Sequence, residues 1–199
     1  MGSKRRLIFV TTNAHKVKEI TDLAESESSE ITIEQLDYDY PELQLDDIEA
    51  VARESANYVR AQTGIKEPFF LEDSGLIIPA LNGFPGPFSA FVFKTIGNEG
   101  ILSLMADNSG EERNATFKTV VAYCKSPKSA PMLSVGTVEG RIAGETRGSG
   151  GFGYDPIFEV HGETFGEMSA EGKNNVSHRS RAFKKFLDFY SLEVLKKAV

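Results

Sequence analysis

The sequence predicts an α/β or α+β fold on one mixed, elongated β-sheet. Three observations lead there. Residues 6–12 (RLIFVTT) are an apolar run that opens at Asn13 directly into helically spaced residues. A second strand and helix follow in the same order, at 30–36 and 46–62. Two long alternating segments, 115–124 and 132–143, flank a turn at 126–130 (SPKSA), as the arms of a hairpin do.

Each element has a local cause. Val17, Ile20, Leu23 and Ala24 recur at helical spacing, so the first helix starts at once. Glu30 to Leu36 alternates apolar and polar (EITIEQL), the pattern of a half-buried strand. The second helix runs from about Asp46 to about Gln62, with Asp46 or Asp47 as its N-cap. Phe69 to Glu72 and Gly75 to Leu81 are strands, or one strand bent at Ser74–Gly75. The turn GFPGPF (83–88) leads into a short helical segment ending at Thr95, and Gly100 to Met105 is a further helix. The last helix begins near Ser177 and carries Phe183, Phe186, Leu187, Tyr190 and Val194 on one face. No linker divides the chain, so 199 residues fit one large domain or one domain of two lobes.

Composition narrows the function. Hydrophobic residues at 40% and charged residues at 26% give an ordinary core. A net charge of −7 argues against a partner that is nucleic acid, which would call for a basic surface. It leaves room for a small polyanion, provided a metal supplies positive charge. Cys124 stands alone in an apolar stretch (TVVAYC), so it is expected to be buried and inert, with no disulfide framework or thiolate zinc site. No apolar run approaches the ~20 residues that span a bilayer. The segment Leu7 to Val10 is too short for a secretory signal. No membrane association is expected, and a cytoplasmic location is.

Three segments carry chemistry. In VTTNAHKVKEI a helix N-terminus offers unpaired N–H groups to an anion, with Thr11, Thr12, Asn13 and Lys16 around it. The competing reading is a Thr/Asn helix cap beside a solvated Lys16. In EGKNNVSHRSRAF, Lys173, His178, Arg179 and Arg181 lie just before or within the first turns of the last helix. Cations are disfavoured at that end, so a bound anion or an electronegative base edge explains them better than solvation does. In RGSGGFGYDPIF, Gly148, Gly150, Gly151 and Gly153 let backbone approach a ligand, and Phe152 and Tyr154 offer faces for stacking. A plain loop or hairpin bend is the competing reading.

The segment FFLEDSGL (69–76) poses an electrostatic problem. A buried strand ends on two adjacent carboxylates, Glu72 and Asp73, which is costly unless a positive charge lies close. Hard oxygen donors beside a phosphate ligand call for Mg²⁺, which takes only one or two protein carboxylates. Glu42, in YPEL, is a further donor.

TTNAHK, YPEL, EDSGL, GFPG, GGFGYDPIF and EGKNNVSHR occur in the order and spacing of the inosine triphosphate pyrophosphatase family. The chain resembles that family, its archaeal branch most, from Phe9 to about Ala182. The resemblance implies an α/β domain with some α+β character, elongated and two-lobed, around a long mixed β-sheet with a central nucleotide-binding cleft. It also implies a homodimer and Mg²⁺-dependent hydrolysis of ITP, dITP or XTP to the monophosphate and pyrophosphate. By the same resemblance Thr11, Thr12, Asn13, Ala14, His15 and Lys16 hold the triphosphate. Glu42 and Glu72 coordinate magnesium, and Asp73 is the proton acceptor and a further metal ligand. Ser74 contacts substrate. Phe152, Gly153, Tyr154, Asp155, Lys173, His178 and Arg179 bind the nucleotide, the base among them. Two positions depart from the pattern. Asn57 stands where many members have a phosphate-reaching lysine, with Arg53 or Arg60 as substitutes, and Ala90 stands where some relatives have another.

The chemistry expected is charge neutralisation and an aligned water, with Asp73 as general base. Arg179 can only donate hydrogen bonds and His178 can donate one, which suits the 6-oxo group of hypoxanthine and xanthine. Two other readings stay open: a pyrophosphatase for other modified nucleotides, and a nucleotide sensor without turnover. A Mg²⁺ nuclease is disfavoured by the acidic charge.

Overall fold

The computed structural model describes residues 5–28, 30–41 and 43–195, with the side chains of residues 194–195 left aside. In chain order it contains β1 (Arg5–Val10), α1 (Ala14–Glu27), β2 (Ile31–Leu36), α2 (Ile48–Thr63), β3 (Phe69–Ile77), α3 (Ser89–Thr95) and α4 (Gly97–Leu104). Then follow β4 (Asn114–Cys124), β5 (Met132–Ile142), β6 (Phe158–Val160), β7 (Glu163–Thr164), α5 (Ala170–Val176) and α6 (His178–Leu195). The seven strands form one sheet in the order β2-β1-β3-β4-β5-β6-β7. β1 runs parallel to β2 and β3, and every other pairing is antiparallel.

The period of two in β1 explains the layers. Leu7 and Phe9 pack on one face with α1 and α6, against Ile20, Leu23, Phe183 and Phe186. Ile8 and Val10 pack on the other with α2, against Ile48, Ala52, Ala56 and Val59. Phe9 and Phe70 stack at 4.6 Å between ring centres, which locks the parallel pair β1–β3 under α6. Beyond this double-faced part, the far ends of β3, β4 and β5 join α3, α4, β6 and β7 around a second core with Leu76, Val92, Ile101, Phe117, Phe158 and Phe165. All three clusters draw residues from β3 and β4.

Gly136 sets how α6 lies on the sheet. A Cβ there would run into the backbone of His178 and Ala182, so glycine lets the first turn of α6 rest directly on β5. That contact seats His178 and Arg179 against the sheet.

Several boundaries differ from those expected. β3 runs unbroken through Ser74–Gly75 and ends at Ile77, because every residue from Phe69 to Ile77 finds a partner on β4. The first strand stops at Val10, and α4 begins at Gly97. Lys173 sits on a helix of its own, α5, capped by Ser169, whose hydroxyl accepts from the Gly172 amide. Glu42 and the side chain of Val194 lie outside the described residues.

Candidate active site

Glu72 and Asp73 are adjacent in sequence but project to opposite faces of β3, as strand geometry requires. Two like charges are thereby kept apart. Glu72 faces α1 and α6, where Lys16 Nζ lies 2.8 Å and Arg179 Nε 3.4 Å from its Oε1. Its Oε2 accepts from the Ser74 hydroxyl at 2.6 Å, and that hydroxyl also meets Thr119 Oγ1 at 2.6 Å. The positive charge expected to be magnesium is thus supplied, on this face, by two protein cations. Burial alone would push the Glu72 carboxyl up; Arg179 and Lys16, with the Ser74 hydroxyl, outweigh it and hold the carboxyl at about 2. Asp73 faces the α2 side, and its Oδ1 accepts from the Ser74 amide at 2.8 Å. Gly75 follows because a Cβ there would strike the Gly86 carbonyl and Ile48; the GFPG turn packs directly against the acidic strand.

The loop from β1 to α1 is a helix cap. Asn13 Oδ1 accepts from the amides of His15 and Lys16 at 3.0 and 3.1 Å, and the Asn13 amide donates to Thr11 Oγ1 at 3.1 Å. Lys16 is not solvated, as its pairing with Glu72 requires. The cap aims the positive end of α1 and Lys16 at the carboxylates on β3. Ala14 opens the helix and does not line the cleft.

Behind this loop runs a chain of alternating charges. Arg179 Nη1 donates to Glu19 Oε2 at 2.6 Å, and Lys173 Nζ donates to Glu19 Oε1 at 2.6 Å and to Asp155 Oδ2 at 2.7 Å. Lys173 and Arg179 are 4% and 2% exposed and ion-paired, so these two cations form a buried network and not a solvated patch, with His178 buried beside them. All three Arg179 nitrogens point at protein: Nε at Glu72, Nη1 at Glu19 and Nη2 at the Ser74 hydroxyl, 3.4 Å away. These contacts hold the guanidinium at the cleft wall. Glu19 escaped the sequence reading, because at i+3 from Lys16 it looks like any polar position of an amphipathic helix. Burial would raise its pKa, but Arg179 and Lys173 outweigh that and lower it.

The glycine-rich loop bends as expected, with positive φ at Gly148, Gly151 and Gly153. Asp155 is buried and holds the loop, accepting from the Phe152 amide at 2.7 Å. Burial raises its pKa above the ordinary value even beside Lys173. Tyr154 is a strut and not a stacking surface: it is buried, and its hydroxyl donates to the Ser89 carbonyl at 2.9 Å. Phe152 stays half-buried, with Lys173 Nζ 5.0 Å and Arg179 Cζ 5.2 Å from its ring centre. His178 stacks on Phe117 at 4.4 Å, and its Nδ1 is buried with no protein partner. Burial, with Arg179 and Lys173 nearby, lowers its pKa well below the usual value, so the ring is neutral.

These groups surround one cleft of about 620 Å³. Thr11, Thr12, Asn13, His15, Lys16, Glu72, Asp73, Ser74, Phe152, Gly153, Tyr154, Asp155, His178 and Arg179 all line it; Lys173 lies beneath the lining. Lys94 also lines it and was missed. It sits four residues, about one helical turn, after Ala90 on α3. Neither Arg53 nor Arg60 reaches the cleft; Arg60 is turned to Asn57 Oδ1 at 2.9 Å and to the Ser129 carbonyl. Among the described residues no three His, Cys, Asp or Glu side chains form a ready metal cluster.

The model of the Ham1 family matches residues 7–189. A protein named dITP/XTP pyrophosphatase from Methanosarcina mazei is 47% identical over 185 residues, spanning 93% of this chain and 97% of that one. A protein of the same name from Methanopyrus kandleri is 47% identical over 192 residues, spanning 95% and 98%. Among solved structures, a HAM1 protein from Coxiella burnetii has a TM-score of 0.78 at 30% identity, covering 94% of this chain and 98% of its own.

Proposed function

The chain belongs to the Ham1 family, and from that membership we propose that its cleft hydrolyses non-canonical purine nucleoside triphosphates. The reaction converts ITP, dITP or XTP to the monophosphate and pyrophosphate, which clears these nucleotides from the pool. One observation carries the reading: a capped helix N-terminus, with Lys16 paired to the acidic strand, lines a single cleft together with Asp73 and the neutral ring of His178.

The triphosphate lies over the α1 N-terminus, where the helix dipole and Lys16 meet its charge and Lys94 approaches from α3. A water attacks the α-phosphorus, its proton passes to Asp73, the bond from the α-phosphorus to the bridging oxygen breaks, and pyrophosphate leaves. Glu72 keeps Lys16 and Arg179 in place from the opposite face of the strand. Base selection falls to His178. The neutral ring at the cleft wall donates its one N–H to a 6-oxo group, whereas the 6-amino group of adenine would present a donor to a donor. The purine itself rests on Phe152.

A magnesium ion fits the hard oxygen donors of this cleft. Among the described residues Asp73 would hold it; Glu72 would join only by giving up a present partner. Bound there, the ion would draw charge from the phosphate oxygens. Residues 1–199 act as one domain of two lobes, working in the cytoplasm as a homodimer. Exposed Phe84, Phe88, Phe91 and Ile96, in the segment after β3, support the dimer as apolar side chains of the kind that copies cover.

Hydrolysis of ITP in heavy-oxygen water tests the reaction. Label in the monophosphate is expected; orthophosphate as the product would reject the reading.

A further inference from the structure

His15 stands apart from its neighbours in the β1–α1 loop. Its amide is held by the Asn13 cap at 3.0 Å, which fixes the backbone but leaves the side chain to its own partner. That partner is Phe152, on the far side of the cleft: the two rings stack at 5.2 Å between centres, 18° from parallel. Phe152 is steadied from within by buried Lys173 and Arg179, whereas the imidazole covering it is exposed. Two rings at that spacing leave no gap for a third between them.

We propose that His15 is a determinant of nucleotide affinity: in the free enzyme its imidazole occupies the Phe152 face that the purine needs, and the base binds by displacing it. The inference rests on the proposed function and deepens it, by giving the side chain at position 15 a task at the base end and not with the phosphates. The stack also spans the cleft, tying the α1 N-terminus to the glycine-rich loop until substrate arrives. A self-occupied face lowers apparent affinity by the fraction of enzyme in which it is open. The fixed cap means that removing the ring leaves α1 and Lys16 where they are.

The test needs no labelled nucleotide, because the chain has only three histidines. In the proton–carbon spectrum of the free enzyme, the His15 ring protons should be shifted upfield by the Phe152 ring current. Saturating inosine monophosphate should move them back to ordinary values. His15→Ala, which also assigns the signal, should lower the inhibition constant of inosine monophosphate and the KM for ITP, each by roughly three- to tenfold. His15 protons unshifted in the free enzyme, or still shifted when inosine monophosphate is bound, would overturn the proposal. So would weaker binding by His15→Ala, which would mark the imidazole as a second wall for the base. ITP turnover on the same preparation separates the two readings: turnover with an unshifted His15 defeats this proposal alone, whereas absence of both turnover and monophosphate binding defeats the function and this proposal with it.

Discussion

Arg179 on α6 and Glu19 on α1 meet at 2.6 Å, and Glu19 also holds Lys173 of α5 at 2.6 Å. Through Glu72 and Asp155 the contact extends into a chain of three cations and three carboxylates: Lys16, Glu72, Arg179, Glu19, Lys173 and Asp155. It joins the loop over the α1 N-terminus to the glycine-rich loop at the other end of the cleft. Buried ion pairs add little net stability when complete, but losing one partner strands the others in low dielectric.

Glu19→Gln removes the carboxylate shared by Lys173 and Arg179. Stability should fall by about 3 kcal/mol in urea unfolding, the cost typical of breaking a buried pair. A change under about 0.5 kcal/mol, the size seen for surface substitutions, would mean the network is slack.

Asp73→Asn keeps the shape of the side chain and its place on β3 but removes the carboxylate proposed as the base. With the fold intact by circular dichroism, kcat should drop by about 100-fold or more. Retention of more than about a tenth of wild-type kcat would take the proton-acceptor role away from Asp73.

His178 is buried and its pKa is lowered in the folded state, so the unfolded chain binds the proton more readily. The stability it contributes is therefore present above the ordinary value of 6.5 and is lost as pH falls below it. Glu72 acts in the same direction only below its ordinary value of 4.5. Between pH 6.5 and 5 the melting temperature should thus decline, and His178→Phe, which keeps the stack on Phe117, should flatten that decline. An unchanged slope in the variant would place the acid sensitivity elsewhere.

EDTA should stop turnover and Mg²⁺ restore it, because the cleft presents hard oxygen donors to a triphosphate. Undiminished hydrolysis in EDTA would remove the ion from the mechanism.

The long apolar segments and their spacing were readable because burial writes itself into periodicity. Phe69 to Leu71, buried on both faces, and Phe183, Phe186 and Leu187 on one face of α6 are examples. The cleft was readable where unusual residue types stand at helix starts and strand ends, as in TTNAHK and EDSGL. What the sequence hid was pairing across distance. Nothing local to Glu72 says that its counter-charges come from residues 16 and 179, and nothing near Glu19 marks it as the centre of a network. Short elements hid as well: β6 and β7 are too brief for alternation to emerge, and Gly172, Asn174 and Asn175 mask the helix under Lys173. Lys94 needed the helical geometry of α3 to bring it back toward the cleft.

The cleft is proposed to take hypoxanthine and xanthine nucleotides in preference to adenine ones and to release pyrophosphate. Pyrophosphate release from ITP, dITP, XTP and ATP, measured under one set of conditions with Mg²⁺, decides this. kcat/KM for ITP, dITP and XTP should exceed that for ATP by at least about 100-fold, since adenine would set its amino group against the His178 N–H at the cleft wall. Equal kcat/KM for ATP and ITP would contradict it.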